Sequence, residues 1–329
     1  MTEAAEAAGI HRLAIPTPFA VGRVNCYLIE DEPLTLLDTG PNSGKALDEL
    51  EQALAAHGRR VEDLQRIVVS HQHIDHLGLV SILARRSGAE VCALDLLAPA
   101  LEDFSAHAEA DDELAQALML RHGIPPDVVA ALRAVSRAFR GWGASAQVDR
   151  PLAAGSTLAF RDRSLEVLHR PGHSPSDTIF WDAERRILLA ADHLIGHISS
   201  NPLISRPLDR TLAEGERPRA LLTYMASLRE TAAMPVELVL PGHGDPVTGH
   251  AALIEDRFAM HDRRARKIGR LIAEQPRSAY EIAQALWGGI AVTQAYLTLS
   301  EVLGHVDLLL EGGSVVEEER DGVVRFAPA

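Results

Sequence analysis

The sequence predicts an α/β protein with its chemistry at strand ends, followed by a small unit of three helices and a hairpin. Three observations predict this. Short apolar, β-branched runs alternate with stretches of helical spacing from residue 11 to about residue 250. The turn after one of these runs, Ser70-His71-Gln72-His73-Ile74-Asp75-His76, packs four metal-competent side chains into six consecutive residues. Beyond residue 251 the texture changes to three helical stretches and an alternating segment around Asp321-Gly322.

Taken in order, residues 11–15 and 24–30 read as strands separated by a proline-containing turn at 16–22. Residues 34–37 are a third short strand, ending in Asp38-Thr39-Gly40. Alanine and leucine at helical spacing predict a helix over 43–57, stopped by Gly58. Arg66-Ile67-Val68-Val69 is the buried strand leading into the histidine cluster, and the apolar residues of 77–86 suit a helix after it. A strand follows at 90–93. Residues 99–143 break the alternation: they are helical by composition, interrupted at Gly123-Ile124-Pro125-Pro126 and at Gly141-Trp142-Gly143. An insertion of this length suits a lid or a substrate-pocket wall, with Phe104, Phe139 and Trp142 as apolar wall residues. A packed helical hairpin without substrate contact suits the composition equally well.

Strand signals resume at 158–160, 165–169, 178–181 and 187–190, spaced as in a meander. Residues 212–234 read as mostly helical and 236–240 as a last strand. The C-terminal part then holds helices at 251–274, at 278–287 with Ser278 as cap, and at 293–310. Residues 314–326 alternate around Asp321-Gly322, a hairpin signal, and the whole has the outline of a winged-helix unit. The expected division is a catalytic domain over 1–250 and a winged-helix-like domain over 251–329.

Composition narrows the function classes. At 329 residues and 47% hydrophobic the chain is long and apolar enough for a large core. A formal net charge of -14 opposes general binding to nucleic acid or anionic membrane. No apolar run approaches the ~18–20 residues that span a bilayer. The first nine residues have neither a basic start nor an apolar signal core, and the two cysteines, Cys26 and Cys92, sit in apolar strand-like runs. Buried free thiols fit a reducing compartment, so a cytoplasmic protein is expected.

The metal-competent residues recur downstream. His173 lies in Pro171-Gly172-His173, Asp192 follows the strand ending at Ala190-Ala191, and His243 lies in Pro241-Gly242-His243. Strand ends are where α/β sheets commonly place ligands, and glycine there permits a sharp turn. Imidazoles and carboxylates suit Zn²⁺, Mn²⁺ or Fe²⁺, and the absence of nearby cysteine argues against a thiolate-rich structural zinc site. Two metals about 3.5–4 Å apart can share a hydroxide of near-neutral pKa, a hydrolytic nucleophile. His193 and His197, just after Asp192, are candidates to support the site or face substrate.

With these pieces in place, the chain resembles the metallo-β-lactamase fold hydrolases over about residues 10–250. The matching segments are Asp38-Thr39-Gly40, His71-Gln72-His73-Ile74-Asp75-His76, Pro171-Gly172-His173, Ala191-Asp192 and Pro241-Gly242-His243. The resemblance implies a four-layer αββα sandwich with a two-metal site at one edge. It implies His71, His73 and His173 on the first metal, Asp75, His76 and His243 on the second, and Asp192 bridging both. It also implies Asp38 as a residue orienting ligands. Asp75 would ligate and also pass a proton. His73 stands where the related oxygen-reducing diiron branch usually has glutamate, which favours hydrolysis.

The fold serves many substrates. Ile195 occupies the position where acyl-homoserine lactonases typically carry tyrosine, which weakens a lactonase reading. A C-terminal winged-helix unit is similar to the β-lactamase-like protein 2 group, near the glyoxalase II branch, whose neighbourhood includes thioester hydrolases and an endoribonuclease. Residues 258–329 hold 8 Arg/Lys against 10 Asp/Glu, and the hairpin carries Glu317-Glu318-Glu319, unlike a phosphate-binding wing. The basic run Arg263-Arg264-Ala265-Arg266-Lys267 reads as a solvated helix face. The winged-helix unit is then expected to close the substrate pocket or to form a homodimer contact. The expected reaction is cleavage of a small-molecule ester or thioester. The alternative is phosphodiester cleavage of nucleic acid, as by an endoribonuclease.

Overall fold

The structure is a computed structural model that describes residues 3–213 and 215–329. Helix α1 (Glu3–Ala7) precedes β1 (Ile10–Ile15), β2 (Val24–Ile29) and β3 (Thr35–Leu37). Helix α2 (Gly44–Ala56), β4 (Arg66–Val69), α3 (Ile74–Leu77), α4 (Val80–Ser87), β5 (Glu90–Leu94) and α5 (Ala98–Glu102) follow. Helices α6 (Phe104–Arg121) and α7 (Pro126–Phe139) form the insertion, and β6 (Arg150–Leu152) closes a six-stranded sheet in the order β1 to β6. Pairing is antiparallel from β1 to β3 and parallel from β3 to β6.

The second sheet holds β7 (Thr157–Ala159), β8 (Ser164–His169), β9 (Thr178–Asp182), β10 (Ile187–Ala191) and, after α8 (Ala220–Ala232), β11 (Leu238–Pro241). Its spatial order is β11-β10-β9-β8-β7, parallel only between β10 and β11. The chain ends with α9 (His250–Glu274), β12 (Arg277–Ser278), α10 (Ala279–Trp287), α11 (Ile290–Thr293), α12 (Ala295–Glu311), β13 (Val315–Arg320) and β14 (Val323–Pro328). The last three strands form a small sheet in the order β12-β14-β13.

Side-chain alternation explains the layering. In β2, Tyr27 and Ile29 face inward with Leu37, Val68 and Cys92, where they meet Val167, Phe180, Leu189 and Leu240 of the second sheet. Cys26 and Leu28 face the other way, onto Leu50 and Leu54 of α2 and Leu83 of α4. The outer face of the second sheet, with Ile179, Trp181, Leu188 and Val239, is covered by Leu221, Met225 and Leu228 of α8 and Ile254 of α9. The result is four layers, αββα. Strands buried on both faces read as near-continuous apolar runs, which is how they appear in the sequence. Cys26 and Cys92 are free and buried. Among the described residues no helix is long and apolar enough to cross a membrane.

A fourth apolar cluster joins the insertion to the C-terminal part. Leu118 and Met119 of α6 and Val129 of α7 pack with Ile268 and Ile272 of α9, Val302 and Val306 of α12, and Phe326 of β14. The insertion is thus a helical hairpin built into the C-terminal core. The capping box at α10 is present: Ser278 Oγ accepts from Glu281 N at 3.2 Å, and Glu281 accepts from Ser278 N at 2.8 Å. Asp321 (φ 52°) and Gly322 (φ 75°) make the two-residue turn between β13 and β14.

Four boundaries differ from the sequence reading, each for a local reason. The helix expected over 77–86 is two helices: Gly78 keeps helical dihedrals (φ -58°, ψ -40°) and the break falls at Leu79 (φ -91°, ψ -1°), while an added Cβ at Gly78 would lie 2.2 Å from Asn42 N and 2.4 Å from Trp142 O. Of the helix expected over 212–234, Ala220–Ala232 forms; residue 214 lies outside the described residues, and Pro218 biases Arg217 away from helical dihedrals. The helix expected over 293–310 is interrupted at Gln294 (φ -124°, ψ 41°). Finally, β6 was not expected; it is a three-residue edge strand containing Pro151, too short for a periodic signal.

Candidate metal centre

The two sheets meet at one edge, and their loops lock together there. Thr178 N donates to Ser70 O at 3.1 Å, and Ser176 Oγ both accepts from Gln72 N (3.1 Å) and donates to Gln72 Oε1 (2.9 Å). On the other side Asn25 N donates to Gly242 O at 2.6 Å. Asn25 Nδ2 donates to Pro241 O (2.9 Å) and Gly244 O (2.8 Å), and Tyr27 OH to Pro241 O (2.7 Å). These bonds draw four strand ends into one place: the turn after β4, the turn after β8, the end of β10 and the turn after β11.

Seven side chains converge there as two adjoining groups. Ligand-competent atoms of His71, His73, His173 and Asp192 lie within 4.8 Å of one another, and so do those of Asp75, His76 and His243. Asp192 joins the groups, with carboxylate oxygens 3.4 Å from His76 Nε2, 3.5 Å from His173 Nε2 and 3.5 Å from His243 Nε2. Asp75 Oδ2 lies 3.4 Å from His243 Nε2, and His173 Nε2 lies 2.9 Å from His73 Nδ1. Asp75 and His76 sit on the single turn α3, for which His73 is the N-cap.

The outward nitrogens of four imidazoles are each occupied. His76 Nδ1 donates to Asp38 Oδ2 at 2.8 Å, and His71 Nδ1 meets Ser70 Oγ at 2.9 Å. Ser70 Oγ in turn donates to Asp38 Oδ2 at 2.8 Å, so one carboxylate orients both rings. His173 Nδ1 donates to Asn201 O (3.0 Å) and His243 Nδ1 to Arg23 O (2.9 Å). Protonation at Nδ1 leaves Nε2 as a lone pair pointing inward. His71 Nε2, His76 Nε2 and Asp192 Oδ1 are buried and have no hydrogen-bond partner. Orphaned buried acceptors facing one another are costly unless a cation sits among them. The donor set therefore fits divalent metal.

The buried carboxylates demand positive charge, which without a cation falls to His76 and His243. Burial and the adjacent imidazoles hold His71 well below the usual histidine range, and burial with His173 brings His73 down to about 3. At His76 burial opposes charge, but Asp192 and Asp38 outweigh it and raise the pKa well above normal. His243 rises to about 9 against its burial, through Asp192 and Asp75. Asp75 and Asp192 both stay ionised despite burial, because histidines surround them.

Asp38 is itself held at φ 59°, a left-handed conformation that aspartate tolerates, and its Oδ1 accepts from Ser70 N at 2.8 Å. Asp38→Ala would free both rings, and affinity for a divalent metal is expected to fall by ~10–100-fold. Competition titration against a chelator measures this; unchanged affinity would remove Asp38 from ligand orientation.

His193, the other predicted supporting residue, faces elsewhere. Its Nε2 bonds Thr231 Oγ1 at 2.8 Å and its ring lies edge-on to Tyr224 of α8, so its ring bonds reach none of the seven. His197 lies against Gly244. The residues missed from sequence are the loop ties. Asn25 had a signal, a lone amide in the apolar run Val24–Ile29. Asp177 accepts from Ser174 N (2.9 Å) and Oγ (2.7 Å), a local turn whose Ser-x-Ser-Asp spacing was legible. Asn201 acts through its backbone carbonyl and had none.

The family model described as "Metallo-beta-lactamase superfamily" matches residues 20–243, a span that includes all seven converging side chains. The chain belongs to the metallo-beta-lactamase superfamily. It is 31% identical over 297 residues to the probable metallo-hydrolase YqjP of Bacillus subtilis, covering 90% of this chain and 91% of that one. A crystal structure of a beta-lactamase domain protein from Burkholderia ambifaria superposes with a TM-score of 0.83 at 28% identity, covering 98% of this chain and 92% of that one. A weaker likeness, 22% over 308 residues, is to an atrochrysone carboxyl ACP thioesterase from Emericella nidulans, covering 92% of this chain and 79% of that one. Membership places the chain among the metallo-hydrolases.

Proposed function

We propose that this superfamily member is a binuclear, zinc-dependent hydrolase that cleaves a small-molecule ester or thioester in the cytoplasm. The carrying observation is the set of inward-facing, buried and unpartnered acceptors His71 Nε2, His76 Nε2 and Asp192 Oδ1. His71, His73 and His173 would hold one ion, Asp75, His76 and His243 the other, and Asp192 both. When bound, the ions supply Lewis acidity and an acidified water, and zinc brings no redox chemistry. The chain's own part is orientation and proton handling. Asp38, Ser70, Asn201 O and Arg23 O keep four rings aimed inward. Asp75, ionised and turned by one oxygen to His243, uses the other to take a proton from the attacking water and return it to the leaving group.

The thioester preference draws support from the likeness to an ACP thioesterase and from the net charge of -14, which disfavours nucleic acid. In this reading residues 1–250 form the catalytic domain. Residues 251–329 form a winged-helix-like domain that closes the pocket or pairs with a second copy. Zinc-loaded protein offered thioesters, lactones, phosphodiesters and RNA is expected to turn over thioesters or other esters fastest. Turnover of phosphodiesters alone would select the nuclease alternative.

A further inference from the structure

A cavity of about 730 Å³ opens between α6, α12, β13, β14 and the irregular segment before α8, its wall holding none of the seven converging residues. Although the chain is net negative, four arginines line it, Arg121, Arg210, Arg217 and Arg219, against the carboxylates Glu216, Asp307 and Glu317. Two of the arginines are fixed by fork-to-carboxylate pairs. Arg217 reaches Asp307 at 2.7 and 2.6 Å, and Arg210 reaches Glu216 at 3.0 and 2.6 Å.

The other two have spare donors. Arg121 gives only Nη1, to Gly215 O at 2.7 Å. Arg219 makes no side-chain hydrogen bond or ion pair among the described residues. Arg219 is also the N-cap of the 13-residue helix α8, which has no side-chain cap. A cation is electrostatically misplaced there, since a helix N-terminus favours negative charge. An anion at this point would satisfy the guanidinium and the helix end together. His122 also stands in the cavity wall, 2% exposed, with no hydrogen-bond partner for its Nδ1 among the described residues. Burial, then Arg217 and Arg121, bring its pKa down to about 3.

We propose that this cavity is a second ligand site, taking a phosphate-bearing small molecule through Arg121, Arg219 and the N-terminus of α8. The volume suits a nucleotide-sized ligand rather than a lone ion. The same chemistry has two sources, the non-reacting phosphorylated end of a substrate or a separate phosphorylated effector. A smaller cavity bordering Gly172 and Ser174, on either side of His173, shares Arg210, Pro218 and Arg219 with this one, so these residues form the wall between neighbouring cavities.

Calorimetric titration of the full chain with pyrophosphate, with and without zinc, tests the site independently of the metal centre. One metal-independent equivalent is expected to bind. Arg219→Glu, at an exposed and unpaired position, should weaken it at least ~10-fold, and Arg121→Ala should do so separately. Absence of metal-independent binding, or binding indifferent to both substitutions, overturns the site. The sources separate by kinetics. A raised KM for a coenzyme A thioester but not for the matching pantetheine thioester identifies a substrate tail. An unchanged KM for both thioesters in Arg219→Glu, with wild-type turnover altered by pyrophosphate, identifies an effector.

Discussion

Asp192→Ala is expected to lose bound metal and hydrolysis together, with turnover down by at least ~10³-fold. Asp192 is the single carboxylate within 3.5 Å of the inward nitrogens of three imidazoles, drawn from three different loops. In the proposed binuclear reading, each half of the centre then loses a ligand and the shared negative charge. His76 and His243 also lose the counter-charge that most raises their pKa, leaving Asp38 and Asp75 alone to oppose burial. The fold itself should survive, because Asp192 contributes no apolar packing. Metal content by elemental analysis and turnover of the best ester substrate measure the two effects. Full turnover with a full metal complement would remove Asp192 from the centre.

Gly242→Ala is expected to produce nearly the same loss by a steric route. A Cβ at this position would lie 2.1 Å from Asp192 Oδ1 and 2.9 Å from His76 Cε1. The backbone cannot retreat, since Gly242 N donates to Ala191 O and Asn25 N donates to Gly242 O, both at 2.6 Å. One methyl group therefore displaces a carboxylate or a strand end, at a cost of ~1–3 kcal/mol in stability and with loss of metal. Gly44→Ala is the matched control: an added Cβ there meets nothing within 4 Å, at the first position of α2. Denaturant melts and metal titration of both variants measure the contrast. Wild-type metal affinity in Gly242→Ala would show that the loop relaxes and would overturn the steric account.

Gly242 also refines the reason for glycine in the Pro-Gly-His turns. The sequence suggests a sharp turn, which holds for Gly172 at φ 149°. Gly242 needs no positive φ; it is glycine because a carboxylate occupies the space of a side chain. Nothing in the local sequence could reveal that, because Asp192 is fifty residues away.

Sequence alone determined the elements and the chemistry they carry. Short continuous apolar runs marked the buried strands, Asp-Gly made the terminal hairpin, Ser278 capped its helix, and the histidines and acids fell at strand ends. These are local effects, decided by backbone sterics and by the spacing of apolar residues. Tertiary structure alone decided three things. It set which atom of each ring turns inward, through Asp38, Ser70 and two carbonyls from distant loops. It turned His193 away onto α8. It also built the insertion into the C-terminal core and left an arginine-lined cavity at that junction. Such outcomes depend on contacts between residues 28 to 220 positions apart, and their energies come from burial that no window of sequence contains.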